Sequence, residues 1–106
     1  MNSSPAETSA PLAQDVRLTE DSLAVDLVDG RSVTVPVSWY PRLAHGTAQQ
    51  RANWRLTGQG YGIHWPDLDE DIAVLDLLAG RPSAESHNSL ERWLEDRDAR
   101  SKERAG

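Results

Sequence analysis

Residues 23–37 read LAVDLVDGRSVTVPV. Leu23, Val25 and Leu27 alternate with Ala24 and Asp26, and Val33, Val35 and Val37 alternate with Ser32, Thr34 and Pro36. Period-two alternation puts the apolar side chains of each run on one face of a strand. Asp29-Gly30 stands between the runs, and an Asp-Gly pair there signals a hairpin, because both central residues of a type I′ turn need φ > 0. The stretch predicts a β-hairpin. Pro36, which lacks an N–H, belongs at a strand end or on an edge.

Before the hairpin, Val16 and Leu18 alternate with Arg17 and Thr19, a further short strand. Residues 1–13, MNSSPAETSAPLA, are small and polar with no apolar period, and read as a disordered leader. They carry neither the basic n-region nor the apolar h-region of a signal peptide. After the hairpin, Ser38 is expected to cap a short turn through Trp39–Ala44, with Pro41 in its first turn and Gly46 as its stop. Thr47 and Gln50 form a capping box that predicts a brief helix over roughly 48–53.

The segment 36–80 holds three of the four tryptophans, five of the seven glycines and the acidic run Asp67, Asp69, Glu70, Asp71. Trp54 and Leu56 lead into Gly58-Gln59-Gly60, and Ile63 and Trp65 alternate beyond it, which predicts a second hairpin closed by Pro66. Ile72, Val74, Leu75 and Leu78 then have helical spacing, stopped by Gly80 and Pro82. In the last stretch Asn88 and Glu91 suggest a second capping box, and Leu90, Trp93 and Leu94 form one apolar patch. Arg97 and Asp98 follow on that face, so the stripe lasts under two turns and the helix is expected to fray, aided only by Asp96–Arg100 and Asp98–Lys102 pairs.

The element order predicts an α+β domain: a small, mostly antiparallel sheet of two hairpins with short helices and a C-terminal helix. Its organisation reads as a leader over 1–13, one α+β domain over 14–82, and a C-terminal helix with a frayed tail over 83–106. About 70 ordered residues bury only a modest core. The chain has no cysteine, which removes disulfides and thiol chemistry, and no run of about 18 apolar residues that would span a membrane. A cytoplasmic location is the expectation.

The net charge is −6, which argues against nonspecific binding to nucleic acid or anionic lipid. The charge is segregated. Residues 31–65 carry Arg31, Arg42, Arg51 and Arg55 and no acid, between two acidic blocks.

Taken in order, D-G-R at 29–31, V-P-V at 35–37, Y-P-R-L at 40–43, W-R-L at 54–56, G-x-G-x-x-I at 58–63, W-P-D-L-D-E-D at 65–71 and L-L-A-G at 77–80 resemble the bacterial domain-of-unknown-function family 2442. The resemblance spans roughly residues 15–82. It implies no defined activity. Members similar to this chain stand alone, are fused to a helix-turn-helix, or lie beside genes of another uncharacterised family, an arrangement that looks like a toxin–antitoxin pair. The 24 residues after Pro82 are too few for the fused form.

No catalytic constellation emerges. His45, His64 and His87 share no metal-ligand spacing, and Ser86 beside His87 makes no triad by itself. An EF-hand-like loop from Asp67 would need Gly and Glu where Ile72 and Leu78 stand, so the acids read instead as the first turn of a helix. Gly58, Gly60 and Gly62 precede a strand rather than a helix, which favours a tight turn over a phosphate loop. No cofactor or metal is expected. Arginine and aromatic residues concentrate at Trp39, Tyr40, Arg42, Arg51 and Trp54, residue types enriched at interface hot spots. The same arginines could pair with Asp67–Asp71 inside the domain.

Two readings follow from this. The first is a non-enzymatic protein-interaction module, antitoxin-like or adaptor-like, with a protein partner or self-association. The alternative is a regulatory, nucleic-acid-associated module acting through an arginine-lined face.

Overall fold

A computed structural model describes residues 11–105. The chain opens with β1 (Ala13–Leu18), β2 (Ser22–Leu27) and β3 (Ser32–Pro36), a three-stranded antiparallel sheet in that order. A 3₁₀ turn over Val37–Trp39 leads to α1 (Pro41–Ala44) and α2 (Ala48–Ala52). A second antiparallel sheet follows, made of β4 (Arg55–Thr57), β5 (Gly62–Trp65) and β6 (Glu70–Ala73). The chain then forms α3 (Val74–Leu78) and α4 (His87–Ala105). The apolar faces of both sheets feed one core, in which Leu23, Val25, Leu27, Leu43, Ile63, Trp65, Leu68 and Val74 are fully buried.

The α+β class and the antiparallel pairing agree with the sequence pattern. The two hairpins, however, sit in separate three-stranded sheets. The second sheet gains its third strand from the acidic run: Glu70–Ala73 pairs with β5, with Ile63 opposite Ile72 and Trp65 opposite Glu70. Asp67 lies within a 3₁₀ turn over Pro66–Leu68, and Asp69 takes a left-handed conformation that turns the chain back into β6. The acids therefore do not cap a helix, and α3 starts only at Val74. Ile72 belongs to the strand. Its helical spacing with Val74 and Leu78 reflects a strand running straight into a helix, with the buried residues Ile72, Val74 and Leu77 all facing the core.

Other boundaries move for local reasons. Ala13, expected in the leader, lies in β1 opposite Leu27 and is 3% exposed; residues 1–10 lie outside the described residues. Gly60, at φ 111°, lies against it: a β-carbon there would come within 2.8 Å of the Ala13 carbonyl oxygen, so only glycine permits this approach. Ser38 falls inside the 3₁₀ turn, and α1 starts from Tyr40 with Pro41 at its first position. The Asn88–Glu91 box does not form. α4 begins at His87, and the Ser86 hydroxyl accepts from the Ser89 N–H at 3.1 Å. Its helical backbone spans His87–Ala105, and the pairs expected at Arg100 and Lys102 involve side chains outside the described residues.

The first hairpin closes differently from a type I′ turn. Only Gly30 has positive φ, at 94°, and its N–H donates to the Leu27 carbonyl at 3.0 Å, while the Leu27 N–H donates to Arg31. Asp29 accepts from the Arg31 backbone N–H and its side-chain Nε, which draws its carboxyl below the usual range. Nothing lies within 4 Å of a β-carbon built at Gly30, so substitution there costs only backbone strain. Gly30→Val should destabilise the domain by about 1–3 kcal/mol in urea unfolding, as expected for a β-branched residue held in the left-handed region.

Candidate interaction site

A five-residue helix satisfies few of its own backbone groups, so α2 depends on outside partners. At its start the capping box forms as the spacing predicts: Gln50 N–H donates to Thr47 Oγ1 at 3.1 Å, and Thr47 N–H donates to Gln50 Oε1 at 2.9 Å. Arg51 then projects from its last turn. Its guanidinium donates to the carbonyls of Leu43 at 2.8 Å and Ala44 at 3.0 Å, the end of α1. It also reaches those of Thr19 at 3.3 Å and Glu20 at 3.4 Å, in the β1–β2 turn. The buried Trp65 indole N–H donates to the Arg51 carbonyl at 2.9 Å. Arg51 is an internal brace, its guanidinium bonded to four backbone carbonyls.

Arg42 is committed too. Its Nε and Nη2 grip the Glu85 carboxylate, with contacts of 2.6–3.0 Å, and its Nη1 donates to the Asp69 carbonyl at 2.9 Å. Glu85 also accepts from Ser89 Oγ at 2.9 Å. These bonds hold the Glu85 carboxyl below the usual range and raise the Arg42 guanidinium. Arg42 lies 5.0 Å from the centroid of the Trp93 ring and Arg97 lies 4.7 Å from it, within cation–π range. Arg97 also donates to Gln50 Oε1. With Leu90 and Leu94 packed on the core, these contacts fasten the first turns of α4 to the domain. Beside them, burial pushes the Glu70 carboxyl up; its Oε1 accepts from the Asp71 N–H, whereas Oε2 is buried with no partner among the described residues.

Of the other residues singled out, Tyr40 is 4% exposed, and its hydroxyl donates to the Arg81 carbonyl at 3.2 Å. It is a core residue and cannot reach a partner. Trp39 is half-buried against the core, and its carbonyl accepts from the Ser83 N–H. The acids of 67–71 have separate partners: Asp67 accepts from Asn53, and Asp71 meets His64 Nδ1 at 2.8 Å across the second sheet. No group of three or more His, Asp or Glu able to hold a metal ion occurs among the described residues. Gly58–Gly60 forms a 3₁₀ turn between β4 and β5, with Gln59 at φ 62°. His87 pairs with Glu91 on the exposed start of α4. Among the described residues no helix is long and apolar enough to cross a membrane.

Trp54 is the member of the predicted set that stays half-exposed beside open space. It lines an open groove of about 520 Å³ with Val16 and Leu18 of β1 and Ala48 and Ala52 of α2. Ala48 and Ala52 are one helical turn apart and exposed. Sequence reasoning missed this groove. Two alanines four residues apart carry no signal alone; they matter because the Arg51 bonds swing α2 against the end of β1.

Two small antiparallel sheets around one core, with short bracing helices, define the class as a compact α+β domain. The chain belongs to the family described as protein of unknown function (DUF2442), which it matches over residues 13–83. A protein of unknown function from Rhodospirillum rubrum is similar at 29% identity and a TM-score of 0.64, covering 73% of this chain and 95% of that one. An uncharacterised protein from Chromobacterium violaceum shares the fold at 21% identity and a TM-score of 0.61, over 76% of this chain and 73% of that one. No curated protein matches. α4 lies beyond the family match.

Arg51→Ala should destabilise the domain by about 1–3 kcal/mol in urea unfolding, because the partly buried Leu43 carbonyl and the exposed carbonyls of Ala44, Thr19 and Glu20 lose their donor at once. Glu85, with its depressed carboxyl, stabilises the fold above the ordinary carboxylate range, and that stability is lost as pH falls through the depressed value. Glu85→Gln should therefore melt below wild type at neutral pH, with the gap closing on acidification. For Glu70 the raised carboxyl reverses the sign: its contribution is present at low pH and lost as pH rises through the raised value.

Proposed function

We propose that this chain is a non-enzymatic protein-interaction module, antitoxin-like or adaptor-like, that takes a partner protein in the groove between β1 and α2. The carrying observation is that groove: about 520 Å³, walled by Val16, Leu18 and Trp54, and bounded on α2 by the small side chains of Ala48 and Ala52. Small residues beside an aromatic wall leave room for a bulky apolar side chain from a partner, the arrangement found at hot spots. The gene pairing implied by the family resemblance supports a dedicated protein partner in the same cell. The nucleic-acid alternative rested on Arg51 and Arg55 on either side of Trp54, with Arg42 nearby; Arg42 and Arg51 are bonded within the fold, which leaves it Arg55, exposed on β4.

Ala52→Arg tests the reading. Ala52 is exposed, so the substitution fills the groove without entering the core. The circular dichroism spectrum should be unchanged, while a partner captured by the wild-type chain from its native host should be lost by about tenfold or more. Equal capture by both proteins would place the interface elsewhere. Capture of nucleic acid that falls steeply with salt would favour the regulatory alternative.

A further inference from the structure

We propose that two copies of this chain pair through β1, antiparallel and about a two-fold axis at Val16. The inference does not rest on a heterologous partner. The two sheets leave β1, β3, β4 and β6 at their edges. β3 ends in Pro36, which has no N–H to donate, and β4 and β6 have three and four residues; helices pack beside both outer strands of the first sheet, α3 beside β3 and α2 beside β1. β1 has six residues and no proline. Among the described residues, the backbone of 15–18 makes no hydrogen bond outside the β1–β2 ladder. An edge of this kind is a template for another strand.

The charges on β1 indicate which strand fits. Asp15 sits directly opposite Asp26 in the β1–β2 register. Like charges in that position are destabilising. Asp26 is already engaged: it accepts from Arg17 Nη2 at 2.8 Å and Nε at 3.2 Å, and from Ser32 Oγ at 2.7 Å. Asp15 has no ion pair among the described residues. Antiparallel pairing centred on Val16 places Asp15 opposite Arg17 of the second copy, and Arg17 opposite the second copy's Asp15. The sequence D-V-R is thus self-complementary about its middle residue, as a two-fold interface requires. Asp15 and Arg17 share the solvent face, so both charge pairs form on one side of the joined sheet, each Arg17 reaching the second copy's Asp15 while it holds Asp26 of its own chain.

The ladder is short. The register shift between Ala13 and Asp15, together with Gly60 packed against Ala13, ends it on one side, and the β1–β2 turn ends it on the other. So small an interface belongs to the weak, reversible class. Val16 and Leu18 line the groove as well as the strand. Dimerisation therefore sets the two grooves side by side across the axis, forming one composite docking surface.

Sedimentation equilibrium on the purified chain, from micromolar to millimolar concentration, tests this without any partner. The expected result is a reversible shift from 11.7 kDa to twice that mass. Asp15→Arg removes the like-charge neighbour of Asp26, so the variant should fold at least as well, and it should weaken the dimer about tenfold or more. Arg17→Asp should do the same, and combining both reversals should restore pairing to within a few-fold. A chain that stays monomeric throughout overturns the proposal, as does a dimer that Asp15→Arg leaves unchanged. If Arg17→Asp unfolds, Asp15→Arg alone decides. A monomeric chain whose groove still binds a partner would leave the protein-partner reading intact.

Discussion

The guanidinium of Arg51 joins α2, the end of α1 and the β1–β2 turn at one point. A four-residue and a five-residue helix cannot hold themselves, and the β1–β2 turn presents carbonyls close to both. One planar side chain with five N–H donors meets the end of α1 and the turn together. The Trp65 indole then bonds back to the Arg51 carbonyl, tying the brace to the centre of the second sheet. The position of α2, and with it the groove beside Trp54, follows from this set of bonds.

Arg42, on α1, plays a corresponding part for α4. Its bonds to Glu85 and to the Asp69 carbonyl, and its place beside Trp93, attach α4, an element beyond the family match, to the loop before β6. Within the basic block Arg31 and Arg42 are neutralised by acids of the same fold, Asp29 and Glu85. A basic block between acidic blocks looks like a binding face when written out linearly. In three dimensions Arg42 meets Glu85, while Arg51 meets carbonyls. Arg55 stays exposed, and the groove beside Trp54 mixes the apolar side chains of Val16 and Leu18 with Glu20 and Arg51, a lining suited to a protein side chain.

Period-two alternation made β1, β2, β3 and β5 legible, and the Thr47–Gln50 box marked α2, because each signal depends only on near neighbours. The strand at Glu70–Ala73 was hidden for the opposite reason. Its acids carry charge on a half-buried strand, and only pairing with β5 explains why they are there. Likewise the arginine–aromatic cluster was visible as residue types, but the commitment of each group was not. Tyr40 lies in the core and Arg51 bonds to backbone carbonyls, and no spacing rule reports a bond to a carbonyl more than thirty residues away. The groove depends on the same long-range contacts.

The central claim is that Arg51 acts through the geometry of its fork and not through its charge. Urea unfolding of Arg51→Lys measures this most directly, because lysine keeps the charge and loses the planar set of donors. A loss of about 1–3 kcal/mol, approaching that of a truncated side chain, is the predicted result. A lysine variant as stable as wild type would contradict it, and would return Arg51 to the set of charges free for a partner.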